Sequence, residues 1–262
     1  VRPRLLLLGG IDPSGGAGLT VDAVVAAMHG CLGLPVVTAW TVQNRHRFDS
    51  RSPLPPDQLA AALAAALEDG AVDAVKIGML GSAATVAFVA SALRPLVGRV
   101  PIVIDPVLVS TVSGLSASTA MAAAYLEHLL PIASVLLPNH AETAAICGER
   151  ADAALASGCA AVLAKDGHGE GAIVDDVLWR RDHAARHFRR SRLAVGPVRG
   201  TGCALATAVA AQLAGGLPLE TACQQAGDWL HLLLQELGPA PVDGLPRLLP
   251  LAGAPWVSRT SK

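Results

Sequence analysis

Short apolar runs that stop at a glycine or a polar residue, each followed by a stretch of helical periodicity, recur along almost the whole chain. Apolar runs without polar alternation suit strands buried on both faces, as in a parallel sheet. Residues 4–8, 33–40, 72–77, 100–104, 134–137 and 160–164 read as such strands. Residues 19–28, 57–67, 82–93 and 119–130 read as the helices between them, with Ser82 capping the third. Residues 171–179 and 185–190 alternate in the manner of antiparallel strands, and helices follow at 204–214 and from 219 to about 237. Residues 45–56 read as a polar connection, and from Pro239 onward rising proline and glycine content predicts an irregular tail. The alternation predicts an α/β fold with a doubly wound, mostly parallel sheet, helices on both faces and a small antiparallel edge. No repeat or linker divides the chain, so residues 1–262 read as one domain.

Composition narrows the function. The formal net charge is -1 and no Lys/Arg cluster is interleaved with aromatics, which argues against a nucleic-acid partner. The one basic run, residues 180–192, contains Asp182 and reads as a solvated strand or hairpin surface. Leu5-Leu6-Leu7-Leu8 gives way to Gly9-Gly10, and no segment approaches about 18 consecutive strongly apolar residues. Neither a signal nor a membrane span is therefore expected, and a cytoplasmic location is. Cys31, Cys147, Cys159, Cys203 and Cys223 form no CxxC pair and no zinc-type spacing, which fits a reducing compartment.

In an open α/β sheet, ligands bind beyond the carboxyl ends of the strands. The polar residues of this chain gather there. Gly9-Gly10 leads into Ile11-Asp12-Pro13-Ser14-Gly15-Gly16-Ala17-Gly18, with Asp22 one turn into the following helix. This is neither a P-loop nor the dinucleotide fingerprint; it is a plain turn or a loop for a small polar ligand. Gln43 and Asn44 end the second strand, and an amide that donates and accepts at once suits the edge of a heteroaromatic ring. The third strand ends in Lys76-Ile77-Gly78-Met79-Leu80 and the fourth in Asp105-Pro106-Val107, whose carboxylate is a metal or substrate group, or else a loop anchor. Residues 109–118 read as a flexible active-site loop. Asn139 and Glu142, in Pro138-Asn139-His140-Ala141-Glu142, either hold Mg²⁺ through waters or form a capping box. Lys165-Asp166-Gly167-His168 ends the sixth strand. Val198-Arg199-Gly200-Thr201-Gly202-Cys203 opens directly into a helix, whose free backbone amides attract an anion and whose N-terminus favours a thiolate at Cys203. The plainer reading of that stretch is a Thr-capped helix start with a buried cysteine.

Taken in this order, these segments resemble the ribokinase-like superfamily, and within it the hydroxymethylpyrimidine/phosphomethylpyrimidine kinases of thiamine biosynthesis, over about residues 5–237. The Gly-Thr-Gly-Cys ending separates that branch from sugar kinases and many pyridoxal kinases, which end in Gly-x-Gly-Asp. The resemblance implies a ribokinase-like fold, ATP as phosphoryl donor, Mg²⁺ and a homodimer. It implies that Gly200, Thr201 and Gly202 form an anion hole for the γ-phosphate and that Cys203 accepts the substrate proton. Gln43 would read the aminopyrimidine edge, with Gly10, Asp22, Met79 and Val107 around the ring. Asp105 and Glu142 would organise the metal, while Lys165, Asn139 and Thr201 would meet the nucleotide. Three departures stand out. Arg199 replaces a usual His, the segment Ser110-Thr111-Val112-Ser113-Gly114 lacks a usual Lys, and Asp166 replaces a Gly.

The function that follows is ATP-dependent phosphorylation of the hydroxymethyl group of 4-amino-5-hydroxymethyl-2-methylpyrimidine and of its monophosphate. Phosphorylation of pyridoxal or pyridoxine is the nearest enzymatic alternative. A non-catalytic pyrimidine sensor is the reading if the altered loops disable transfer.

Overall fold

The computed structural model describes residues 1–108, 118–148, 150–167, 169–242 and 244–251. The expected loop at 109–118, apart from Ser118, and His168 lie outside the described residues. The chain runs β1 (Arg4–Ile11), α1 (Gly18–Met28), β2 (Leu32–Gln43), β3 (Phe48–Pro53), α2 (Pro56–Glu68), β4 (Ala74–Ile77), α3 (Ala83–Leu93) and β5 (Ile102–Ile104). It continues through α4 (Thr119–Ala124), β6 (Val135–Leu136), α5 (His140–Cys147), β7 (Ala161–Ala164), β8 (Ile173–Arg180) and β9 (Arg186–Ser191). β10 (Val198–Arg199), α6 (Thr201–Ala214), α7 (Leu219–Glu236) and β11 (Arg247–Leu248) complete it.

The described strands β1 to β9 form one sheet in the order β3-β2-β1-β4-β5-β6-β7-β8-β9. The six from β2 to β7 in that order are parallel, and antiparallel strands close both edges rather than one. This is the ribokinase-like α/β arrangement. β1 explains the architecture in miniature. Leu5 and Leu7 join the core formed with α1, α6 and α7, whereas Leu6 and Leu8 join the opposite core with α2 and α3. A strand with period-two side chains and a helical layer on each face must be apolar at every position. The alanine bias has a similar cause. Residues 204–211 of α6 are all buried, so small side chains let α6 lie against the sheet with α1 and α7 beside it.

Several expectations need correcting. β1 does not stop at Gly9-Gly10 but continues to Ile11, with a register shift against β2 at those glycines. The polar connection hides β3, an edge strand of sequence Phe-Asp-Ser-Arg-Ser-Pro whose main inward anchor is Phe48. One polar face and a short length conceal such a strand from periodicity. The 119–130 helix shortens to α4 and then passes through a π turn (Tyr125–Leu129) into a 3₁₀ turn (Leu130–Ile132). The region after Pro239 contains β11, which pairs in parallel with β10 and buries Leu249. The basic run is not wholly solvated. Arg190 turns inward to Asp176, Asp228 and the Gln224 carbonyl, tying β9 to β8 and α7. Arg192 donates to the carbonyls of Asp166, Gly167, Gly171 and Ile173 and to the Asp166 carboxylate, bracing the turn after β7.

Two glycine segments meet at the carboxyl ends of the strands. Gly18 (φ 60°) and Gly200 (φ 80°) both hold left-handed backbone. A Cβ at Gly18 would collide with the Gly10 carbonyl, and one at Gly200 with the Gly16 carbonyl. Gly18→Ala and Gly200→Ala should each lower stability by about 1–3 kcal/mol. Urea unfolding measures this, and an unchanged midpoint in either variant would mean that the segments readily move apart.

Candidate active site

The strand ends enclose a cleft of about 530 Å³. Gly10, Asp22, Gln43, Met79, Asp105, Val107, Asn139, Glu142, Lys165, Gly200, Thr201, Gly202 and Cys203 all line it. Asn44 does not; its side chain accepts from the His46 and Arg47 amides in the turn between β2 and β3.

At one wall, Gly200 is the N-cap of α6 and no side chain caps the helix, so the Thr-capped reading fails. Thr201 is instead the first helical residue. Uncapped amides at a helix start carry partial positive charge, and this turn lines the cleft. Lys165 adds a full charge beside it, since a Cβ at Gly202 would lie 3.3 Å from Lys165 Nζ.

Two carboxylates face this lysine, and that of Asp105 also lies against the turn, 3.8 Å from where a Cβ at Gly202 would stand. Asp105 and Glu142 are 2% and 3% exposed, and Lys165 Nζ sits between them, donating to Asp105 Oδ1 at 2.6 Å and standing 4.0 Å from Glu142 Oε2. The capping box at 139–142 is complete: Asn139 Oδ1 accepts from the Glu142 amide (2.9 Å) and Glu142 Oε2 from the Asn139 amide (2.8 Å). The cap orients Glu142 without taking it out of the cleft. Burial pushes the Glu142 carboxyl up to about 7, opposed by the Lys165 cation and reinforced by Asp105. Burial alone would depress Lys165, but the Asp105 and Glu142 carboxylates outweigh it and hold the ammonium protonated. Among the described residues no group of three or more His, Cys, Asp or Glu could enclose a metal. Two carboxylates on an open cleft therefore fit an ion that keeps waters and takes phosphate oxygens, which is the habit of Mg²⁺.

Beneath the turn runs a buried ion pair between two residues that the sequence singled out separately and did not join. Lys76 Nζ donates to Asp22 Oδ2 at 2.7 Å and Thr207 Oγ1 donates to Asp22 Oδ1 at 2.8 Å, with both charged residues fully buried. Asp22, expected beside the substrate ring, lines the cleft and also holds β4, α1 and α6 together. Burial raises the Asp22 carboxyl despite Lys76 and Thr207, whereas Asp22, Cys203 and Asp105 together override burial and raise Lys76. A lysine inside the apolar strand Ala-Val-Lys-Ile was the available signal, because a buried charge requires a partner. Cys203 is half-buried above Lys76, with the Gly18 amide directed at its sulfur. Burial pushes its thiol up to about 12, and Lys76 only partly offsets this. The helix start therefore does not win, and the thiol is protonated at neutral pH.

The remaining wall is polar in a different way. Thr38 donates to the Met79 carbonyl and so orients the turn after β4. Gln43 Nε2 donates to Thr41 Oγ1 (2.9 Å), and Gln43 Oε1 accepts from Arg199 Nη2 (2.7 Å). Beyond β9, the cleft extends along Leu193, Leu230 and Leu234, an apolar stretch that no sequence motif announced.

Lys76→Met should cost about 3–5 kcal/mol, because Asp22 is left buried and unpaired. The double variant Asp22→Asn with Lys76→Met should recover most of that in thermal unfolding; additive losses would mean that the pair is not coupled. With its thiol near 12, Cys203 should have a thiolate fraction at pH 8 about a thousandfold below that of an ordinary cysteine. Iodoacetamide mapped by mass spectrometry should therefore label it slowly even when the cleft is empty, and fast labelling would show an activated thiolate.

Comparison with known proteins agrees with this geometry. A family model described as phosphomethylpyrimidine kinase matches residues 12–240. The hydroxymethylpyrimidine/phosphomethylpyrimidine kinase of Rhizobium meliloti is 36% identical over 237 residues, covering 86% of this chain and 88% of that protein. The thiamine biosynthesis multifunctional protein ThiED of Corynebacterium efficiens is 35% identical over 277 residues, and the match spans 97% of this chain but only 37% of that protein. Among solved structures, Bacillus subtilis pyridoxal kinase in complex with ADP superposes with a TM-score of 0.80 at 25% identity, covering 90% of this chain and 93% of that one. With matching motifs, matching architecture and a family model spanning most of its length, the chain belongs to the phosphomethylpyrimidine kinase family of the ribokinase-like superfamily.

Proposed function

We propose that the protein transfers the γ-phosphoryl group of ATP to the hydroxymethyl oxygen of 4-amino-5-hydroxymethyl-2-methylpyrimidine, and then to the monophosphate so formed. One observation carries this reading. The uncapped turn Gly200–Cys203, the cation Lys165 with its two carboxylates and the amide of Gln43 share a single cleft. Family membership supports the same chemistry.

Loose phosphoryl-transfer transition states spread charge over the transferring oxygens, so positioned donors and cations do most of the work. The amides at Gly200, Thr201 and Gly202 would face that charge, and Lys165 would bridge the phosphates and Asp105. Mg²⁺, held through water by Asp105 and Glu142, would neutralise the remaining phosphate charge. Gln43 and the surfaces of Gly10, Met79 and Val107 would orient the ring. The substrate O–H bond breaks, an O–P bond forms and the bond from phosphorus to the ADP oxygen breaks. Cys203 would receive the hydroxyl proton through the small thiolate fraction that Lys76 favours. With so little thiolate, proton removal contributes less than the turn.

A coupled ADP-release assay with the aminopyrimidine alcohol, its monophosphate and pyridoxal tests the proposal. Turnover should be highest with the pyrimidines, and folded protein without pyrimidine-dependent turnover would sink the idea. Pyridoxal is the second arm because the Bacillus subtilis relative is a pyridoxal kinase. Cys203→Ala should lower kcat by about tenfold to a hundredfold with ATP affinity unchanged, and full activity would remove the thiol from proton transfer.

A further inference from the structure

Arg199 remains without a role in the transfer itself, yet it is one of the most constrained side chains of the cleft. It is 8% exposed, and its Nη2 donates both to Asp12 Oδ2 (3.1 Å) and to Gln43 Oε1 (2.7 Å). Asp12 is itself held, its Oδ1 accepting from the Ser14 amide (2.8 Å) and the Ser14 hydroxyl (2.7 Å). The other end of Gln43 is equally committed. Gln43 Nε2 donates to Thr41 Oγ1, and the Thr41 hydroxyl donates to the Ile11 carbonyl at 2.6 Å.

The directions in this chain are forced. A threonine hydroxyl has one hydrogen, and with that hydrogen on Ile11 it offers Gln43 only a lone pair. A guanidinium has hydrogens and no acceptor. The Gln43 amide therefore fits one way round, with oxygen towards Arg199 and nitrogen towards Thr41. Turned by half, it would face its NH₂ to the guanidinium and its carbonyl to the Thr41 oxygen, two repulsive contacts in a half-buried place. What remains free on Gln43 is one N–H and one lone pair, the complement of an N=C–NH₂ edge. Of the two locks Arg199 is the firm one: the Thr41 hydroxyl can turn its hydrogen from Ile11 to a facing amide oxygen, whereas a guanidinium can only donate, and an imidazole at position 199 would remove that lock because one ring nitrogen of a neutral histidine accepts.

We propose that Arg199 is a specificity-determining residue: it denies Gln43 the amide flip that would accept an oxo-pyrimidine edge, and so restricts the cleft to the amino form. This rests on the functional reading above. The 4-oxo analogue presents a carbonyl and a ring N–H where the 4-amino substrate presents an NH₂ and a ring nitrogen. A fixed amide matches one of these patterns and an amide free to turn matches both. Mismatched polarity between a ring edge and a fixed amide leaves donors and acceptors unpaired once the ligand excludes water, which is the basis of discrimination.

The experiment compares kcat/KM for the 4-amino and 4-oxo forms of 5-hydroxymethyl-2-methylpyrimidine. The wild-type protein should strongly prefer the amino form. In Arg199→His the preference should fall by at least about tenfold, with the KM for ATP unchanged, whereas Arg199→Lys, which can only donate, should retain it. Arg199→Met provides the same comparison should the histidine variant fail to fold, with thermal unfolding reported for each. An unchanged preference in a folded Arg199→His or Arg199→Met overturns the inference, as does a wild-type protein that turns over both forms equally. A wild-type protein that turns over neither form overturns the functional reading and this inference with it.

Discussion

The Asp22–Lys76 pair is the contact on which the cleft depends. It joins the helix that follows the first glycine loop, a central strand, and through Thr207 the helix that follows the second. Two apolar side chains of similar volume would hold these elements more cheaply, because desolvating two charges costs several kcal/mol before any attraction is counted. What an apolar pair would not supply is a cation close to Cys203, itself held protonated in part by the charge of Asp105. The pair thus fixes the distance between the two glycine segments and the electrostatic ground on which they stand.

Above it the cleft carries Lys76 and Lys165 against Asp22, Asp105 and Glu142. Asp22 is used by Lys76 and Asp105 by Lys165, which leaves Glu142 as the carboxylate without a close cation of its own. Burial pushes its carboxyl up to about 7, and it raises the Asp22 carboxyl too, in spite of Lys76. The same competition decides Cys203. A helix N-terminus contributes on the order of 1 kcal/mol to a nearby anion, and desolvation outweighs that for a thiol enclosed by the cleft walls. In the proposed reaction, transfer would therefore lean on cations and amides already in position, with the thiol in a secondary part.

Much of this was legible from residues 1–262 alone. A parallel α/β sheet follows from apolar runs such as Leu5 to Leu8, which can be buried on both faces only between two helical layers. Once the sheet is parallel, the strand-end residues Gln43, Met79, Asp105, Asn139 and Lys165 must gather at one edge, and they do. Residues whose roles depend on partners distant in sequence were not legible. Arg190 and Arg192 looked like surface charges, and β3 looked like a loop, because neither burial nor pairing is a local property. The Asn139–Glu142 pattern could not be resolved either. Glu142 Oε2 both closes the capping box and lies 4.0 Å from Lys165 Nζ, so the cap does not take the carboxylate out of the cleft.

The sequence by itself determined the layer architecture, the edge of the sheet at which the cleft opens and the glycine turn at the start of α6. These follow from hydrophobic period and backbone conformation, which are read over a few neighbouring residues. Only the tertiary structure decided that Asp22 pairs with Lys76, that burial opposes the helix start at the Cys203 thiol, and that Arg199 reaches Gln43 across 156 positions of sequence. Charge, desolvation and hydrogen-bond direction depend on which groups the fold brings within a few ångströms of one another, and no local pattern specifies that.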